Sequence, residues 1–390
     1  MHGATTRSPF ASPTGAAGRS FGILSTYPPT PCGLATFTAA LTRGLEASGA
    51  SVGVVRLADG TPTTDPRVLT ELENSVPTSL TQATACLSDC DMAIVQHEYG
   101  LYGGHDGDEV LDILGGLTIP SIVVAHTVLL DPTEHQRHVL EAVAEAASVV
   151  VVMTKAAQHR LCSRFDVDPS KVVMIPHGAA TPTARTPRGG AGGPMMLTWG
   201  LIGRGKGIEW AIDAMVDLQD LRPRPSYVIA GRTHPKVIAF EGEIYRDMLV
   251  ARTRAKNVSA SVSFDSGYRD LSSLTQLIQD ASVVVLPYDS RDQVTSGVLV
   301  DAIAAGRPVV ATAFPHAVEL LSTGAGIVVP HGDAAALAAA LRRVLTEPGL
   351  AAAMAREASR LAPTLGWQAV AREYASLAER ILNAPEPVPA

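Results

Sequence analysis

Residues Leu286–Leu321 read LPYDSRDQVTSGVLVDAIAAGRPVVATAFPHAVELL. A β-branched run ends at Leu286, and a polar loop follows it. A helix pattern opens near Thr295 and stops at Gly306, and a second strand pattern covers Pro308–Thr312. Runs that are apolar without alternation belong inside a parallel sheet, and parallel neighbours need a crossover, usually a helix. This unit therefore predicts an α/β fold.

The same alternation extends both ways from it. In the second half, Met195–Trp199, Tyr227–Ala230, Ser259–Phe264, Ser282–Leu286 and Gly326–Val329 read as further strands. Helix patterns lie at Ile208–Leu218, Leu271–Asp280 and Ala334–Leu345, and a last one at Trp367–Leu382. The first half repeats the scheme with Phe21–Ser25, Ser51–Arg56, Met92–His97, Ser121–His126, Ser148–Met153 and Lys171–Ile175, joined by helices such as Leu34–Ala47 and Glu134–Ala147. Between the halves, Ala179–Pro194 (AATPTARTPRGGAGGP) has no apolar period and the composition of a linker. The expected organisation is a leader over 1–19, a first domain over 20–180, a linker over 181–194, a second domain over 195–362 and a closing helix over 363–384. Two doubly wound domains can share one ligand, because open α/β sheets bind ligands outside the carboxyl ends of their strands.

Composition narrows the function. The 390 residues are 46% hydrophobic and 18% charged, which excludes disorder as the main state. Lys plus Arg number 31 against 38 Asp plus Glu, a net charge of −7, which argues against nucleic acid or an anionic membrane as the main partner. The helix from Leu34 carries only Arg43 as a cation, so membrane association is not expected. No apolar run approaches the roughly 18 residues of a membrane span, and Met1–Ser20 lacks the apolar core of a signal peptide. A cytoplasmic protein is expected. Cys32, Cys86, Cys90 and Cys162 form no C-x-x-C pair and read as free thiols.

Three motifs follow strand ends. In GLIGRGKG (Gly200–Gly207), Gly203, Gly205 and Gly207 let the backbone approach a ligand, and Arg204 and Lys206 add two cations ahead of a helix start, a combination suited to a diphosphate. In the quoted stretch, Gln293 and Asp301 lie eight residues apart and bracket a helix start whose Ser296–Gly297 pair offers unhindered amides. In TYPPTPCGLATF (Thr26–Phe37), Gly33 stands where the loop gives way to a helix. No G-x-G-x-x-G follows the first strand, which lowers a dinucleotide oxidoreductase reading.

The stretch from Gln293 to Thr312 resembles the signature of family 4 retaining glycosyltransferases of the GT-B fold, which has two Glu eight apart and ends in E-A-x-A-x-G-x-P-V-V-A-[ST]. Asp301, Ala302, Ala304, Gly306, Pro308 and Thr312 match it, with Asp for the second Glu and Gln293 for the first. The resemblance implies that Asp301 holds the nucleotide ribose and that Gln293 contacts the donor sugar. GLIGRGKGIEWAI resembles the family's Gly-Arg-x(4)-Lys-Gly element: Lys206 and Gly207 align directly, Leu201 stands at the Arg position, and Arg204 would serve from a shifted place. IPHG (Ile175–Gly178) is similar to the family's I-P-N-G, with His177 for Asn, and Gly33 falls in its glycine-rich acceptor-side loop. His126, at a strand end, matches a histidine that contacts the donor sugar; Gly231 and Arg232 end another strand facing the donor. The loop HEYGLYGGHDG (His97–Gly107) is read as acceptor-side, with His97 and Glu98 near the cleft.

The resemblance covers Phe21 to about Leu382 and implies two Rossmann-like domains facing across a cleft, with the last helix crossing back onto the first. The expected reaction is retaining transfer of a hexosyl group from a nucleotide sugar to a hydroxyl of a sugar or small-molecule acceptor, with a family lean to mannosyl from GDP-mannose. Arg204, Lys206 and helix amides supply the charge, so no cofactor or metal is expected. The triplets Asp89–Asp91, Asp106–Asp108 and Asp166–Asp168 are read as turn chemistry rather than metal ligands. The competing readings are a nucleotide-sugar binding protein of low activity, suggested by Gln293 and Asp301 in place of Glu, and a GT-B nucleotide-sugar epimerase.

Overall fold

The structure is a computed structural model that describes residues 18–180, 193–267 and 269–384. Most of the expected leader and linker (1–17 and 181–192) lies outside the described residues. The chain divides into two compact units, one of residues 1–178 with 367–390 and one of 179–366. The sequence reading placed these divisions at 180/181 and 362/363.

The first unit is built from β1 (Ser20–Ser25), α1 (Gly33–Ala47), β2 (Ser51–Leu57), β3 (Val68–Leu72), α2 (Pro77–Ser88), β4 (Met92–His97), α3 (Val110–Gly116), β5 (Ser121–Ala125), α4 (Glu134–Ala146), β6 (Val149–Val152), α5 (Lys155–Arg164) and β7 (Val172–Met174). All its strand pairs are parallel, in the order β3-β2-β1-β4-β5-β6-β7. The central strands are buried along their length, which is why they read as unbroken apolar runs. At β3 the sequence reading missed a strand: VLTEL is a half-exposed edge strand carrying Thr70 and Glu71, and it lacks that signal. Local chemistry fixes the helix starts. Thr133 and Gln136 form a reciprocal capping box on α4, and the Cys32 thiol accepts from Ala35 N at 3.3 Å to cap α1.

The second unit runs β8 (Met195–Trp199), α6 (Ile208–Ala214), β9 (Ser226–Ala230), α7 (Pro235–Glu241), α8 (Ile244–Ala255), β10 (Val262–Asp265), α9 (Leu271–Asp280), β11 (Val283–Leu286), α10 (Gly297–Ala304), β12 (Val309–Thr312), α11 (Pro315–Leu321), β13 (Gly326–Val329), α12 (Ala334–Thr346) and α13 (Leu350–Leu365). Its six strands are parallel in the order β10-β9-β8-β11-β12-β13. The expected helix over Ile208–Leu218 tightens to a 3₁₀ turn from Met215. The sequence reading did not identify α13, which carries Pro363 in its last turn.

A final helix, α14 (Trp367–Leu382), returns to the first unit. It buries Val370, Ala371, Tyr374, Leu377 and Ala378 in one cluster with Phe21, Ile23, Phe37 and Leu41 of β1 and α1. Gly44 of α1 makes the approach close: a Cβ there would stand 2.6 Å from Ala371 Cβ and 3.0 Å from Trp367 O. Among the described residues, no helix is long and apolar enough to cross a membrane.

Candidate functional site

In each sheet the chain order reverses beside the first strand of its unit, between β1 and β4 and between β8 and β11. Ligands of open α/β sheets bind outside the carboxyl ends of strands at such switch points. Of the expected residues, Gly33, His97 and Glu98 lie at the ends of β1 and β4 or just beyond, and Gly203, Arg204, Lys206, Gln293, Ser296, Gly297 and Asp301 follow β8 and β11, whereas His126, Gly231 and Arg232 follow the neighbouring strands β5 and β9.

In the second unit, GLIGRGKG leaves the end of β8 as a turn in which Lys206 N donates to Gly203 O at 3.2 Å. Two glycines are required by geometry. Gly207 caps α6 at φ 60°, and a Cβ there would lie 1.9 Å from Pro287 O; Gly231 ends β9 at φ 143°, with Gly200 O at 1.9 Å. This close approach threads the β8 loop against the β11 loop, where Asp289 N donates to Gly205 O at 3.0 Å and Trp210 Nε1 to Asp289 Oδ1 at 2.7 Å. Arg232 is exposed, and its carbonyl accepts from Ile202 N at 2.8 Å.

The two cations go to different partners. Arg204 is 60% exposed, and its Nε donates to the Glu241 carboxylate at 3.0 and 3.1 Å. Lys206 is half-buried, with Nζ 4.4 Å from the centre of the Tyr288 ring. Burial lowers its pKa, and it has no carboxylate partner among the described residues. Tyr288 is buried and stacks on Phe314 at 5.1 Å. A cation sheltered on an aromatic ring without a counter-ion is a prepared place for an anion.

At the start of α10, Ser296 accepts from Leu299 N at 3.3 Å through its hydroxyl, and its own amide donates to His316 Nδ1 at 2.9 Å. The Ser296 amide is therefore already used, and Gly297 is the first helical residue. Gln293 turns its amide nitrogen onto Thr295 O at 3.0 Å. Asp301, half-buried on α10, has no partner for its carboxyl among the described residues, and burial raises its pKa to about 7.

In the first unit, Gly33 opens α1 with no heavy atom within 4 Å of where a Cβ would stand. His126 follows β5 and places Nε2 2.5 Å from Gln96 Oε1. Burial, reinforced by His177 and His97, lowers its pKa to about 3, so the ring is neutral at pH 7 and donates from Nε2 to that oxygen as the amide is placed. Phe37 meets His126, His177 and Trp367 edge-on at 4.9, 5.2 and 4.9 Å. His97 is 1% exposed, with neither ring nitrogen partnered among the described residues, and Glu98 accepts from Thr127 Oγ1 at 2.6 Å.

Residues 189–361 match the family described as glycosyl transferases group 1, and residues 31–181 match glycosyltransferase family 4. The chain belongs to the group 1 and family 4 glycosyltransferases. This glycosyltransferase-family chain is similar to glycogen synthase of Mycobacterium tuberculosis, 32% identical over 209 residues, or 52% of this chain and 47% of the relative. It is also similar to the D-inositol 3-phosphate glycosyltransferase of Kineococcus radiotolerans, 28% identical over 253 residues, or 59% of this chain and 56% of the relative. The chain thus spans about half the length of the curated relatives it matches. Among solved structures, Anabaena HepE in complex with UDP and glucose matches with a TM-score of 0.75 at 16% identity, over 93% of this chain and 99% of that one. Sucrose-phosphate synthase of Thermosynechococcus elongatus matches with a TM-score of 0.71 at 18% identity over the same shares, 93% and 99%. At those identities the likeness shows the GT-B fold of two Rossmann-like domains.

Several residues that shape these loops escaped the sequence reading. Tyr288 and His316 were inside the quoted motif but carry no spacing signal. Gln96 sits within an apolar strand, and only the parallel β4–β5 pairing puts it beside His126. Arg56 is fully buried at the end of β2. It donates to Tyr27 O at 3.2 Å, to Thr30 Oγ1 at 2.9 Å, and to Asp59 and Glu71, fixing the loop that leads to Gly33.

Proposed function

We propose that the protein is a hexosyltransferase whose second unit binds a nucleotide diphosphate sugar and whose first unit presents a sugar or small-molecule hydroxyl. The observation that carries this reading is two complementary groups without a charged partner among the described residues, one on the loop after β8 and one on the helix after β11: the Lys206 ammonium over Tyr288 and the desolvated Asp301 carboxyl. A diphosphate answers the first and a ribose diol the second. As the bond from the anomeric carbon to the diphosphate oxygen breaks, negative charge grows on the phosphate, and Lys206 and the backbone amides of the Gly203–Gly207 turn stabilise it there. In this proposal Arg204 joins them after leaving Glu241, Gln293 and His126 hydrogen-bond the sugar, and Gly231, Arg232, Ser296 and Gly297 complete the donor-side wall. The acceptor hydroxyl attacks from the face the phosphate leaves and gives its proton to the departing phosphate oxygen, so configuration is retained, and no metal is needed for the charge.

The donor is proposed as a hexosyl nucleotide. The mannosyl expectation with GDP comes from the family resemblance, whereas HepE is solved with UDP and with UDP-glucose. The test is nucleotide release from GDP-, UDP- and ADP-sugars in excess EDTA, with and without mixed acceptors. Acceptor-stimulated release from one donor is expected, and Lys206→Ala should reduce it by about 100-fold or more, the scale of losing a preorganised charge. Tight donor binding without turnover would favour a binding protein, and conversion of the donor without release an epimerase. No binding of any donor would sink the assignment.

A further inference from the structure

At the end of the loop read above as acceptor-side, together with the start of α4, one side-chain cluster has metal-ligand chemistry. His105 and Asp106 lie on a 3₁₀ turn after β4, and His135 lies in the first turn of α4. One ligand atom from each of the three comes within 4.8 Å of the other two. Asp106 Oδ2 is 3.1 Å from His135 Nδ1 and 3.6 Å from His105 Nδ1, and the two imidazoles face each other at 4.2 Å, tilted by 51°. Ligand atoms about 2.1 Å from a tetrahedral zinc stand roughly 3.4 Å apart, so these separations bracket the edge of such a site.

The surroundings also fit. A ligating histidine typically turns its other ring nitrogen to a carboxylate, and the ligating carboxylate is itself hydrogen-bonded. His135 Nε2 stands 3.5 Å from Asp108 Oδ2, and Gln136 Nε2 donates to Asp106 Oδ1 at 3.2 Å. His105 is 74% exposed, yet its ring turns toward both Asp106 and His135 rather than away into solvent.

We propose that His105, Asp106 and His135 form a binding site for a Zn²⁺-class divalent cation, with a fourth position open to water and Asp108 orienting His135. Two imidazoles and one carboxylate suit zinc better than magnesium or calcium, which prefer all-oxygen shells. The cation would tie the turn after β4 to the start of α4 across the sequence between Asp106 and His135. All three ligands and Asp108 belong to the first unit, and the role of the cation is structural.

Titration of the EDTA-treated, dialysed protein with zinc chloride tests this directly. About one equivalent is expected to bind at pH 7.5, and the melting temperature should rise by a few degrees. Binding should weaken markedly at pH 5.5, because the metal competes with protons for the imidazoles. His105→Ala, at the most exposed of the three, should lower affinity at least tenfold without changing the metal-free melt, and the His105→Ala/His135→Ala double variant should abolish binding. Asp108→Asn should weaken it about tenfold. No uptake by the wild type would overturn the site, as would uptake undiminished in the histidine variants, which would point to the cysteines instead. The readout is metal binding alone, so its outcome is independent of whether a sugar is transferred.

Discussion

Asp301 opposes stability by its burial, and in the proposed function the same residue serves donor binding. Burial raises its carboxyl from 3.8 to about 7. Between those values the native state holds a proton that the unfolded chain has released, so this group makes stability fall as pH rises through the window and level off above about 7. Asp301→Asn keeps the shape and removes the ionisation. In denaturant melts it should stabilise the protein by about 1–3 kcal/mol at pH 8, discounted for partial exposure, and by less at pH 5. Donor KM should rise by about tenfold, the scale of one lost charged hydrogen bond. An equal stability gain at both pH values would show that the carboxyl is not desolvated. The exchange of stability for a binding group is common at functional sites.

At the scale of elements, the β8 loop owes its path to its backbone. Gly207 and Gly205 both have positive φ, 60° and 84°, but their surroundings differ. A Cβ at Gly207 meets Pro287 O at 1.9 Å, whereas nothing lies within 4 Å of one at Gly205. Gly207→Ala should therefore cost about 2 kcal/mol or more and displace Lys206 from Tyr288. Gly205→Ala should cost only about 1 kcal/mol, the penalty of the left-handed conformation alone. Thermal melts of the two variants decide it, and equal costs would show that the β8 and β11 loops are not pressed together. Much of this was legible beforehand, because glycines after a strand and before a helix announce a close approach. The partner of each cation was not, since Glu241 and Tyr288 reach Arg204 and Lys206 from later elements.

For the whole molecule, the two units differ in continuity. The second is one stretch, 179–366, with its own core clusters, whereas the first is completed by α14 from the far end of the chain. A fragment of 179–366 should unfold cooperatively by itself and keep its affinity for the donor nucleotide. A fragment of 1–178 should fail to fold cooperatively until a peptide of 367–390 is added, because Val370, Tyr374 and Leu377 fill the core beside Phe37 and Leu41. Circular dichroism melts of the fragments would show this, and cooperative folding of 1–178 alone would refute it.

The sequence by itself determined the parallel α/β class, most of the strands and the three loops worth attention. Burial on both faces writes a strand as an apolar run, and the glycines and helix starts mark where a chain turns at a strand end. Edge strand β3 stayed hidden because a half-exposed strand carrying Thr70 and Glu71 does not read as an apolar run. Helix α13 does carry a helical period through Leu350, Met354, Ala358, Leu361 and Leu365, and the sequence reading passed over it. Only the tertiary structure decided which polar groups meet. Gln96 reaches His126 across 30 residues, Ser296 reaches His316 across 20, and Asp106 meets His135 across 29. Such partners are set by sheet register and helix docking, and neither leaves a local trace in the chain.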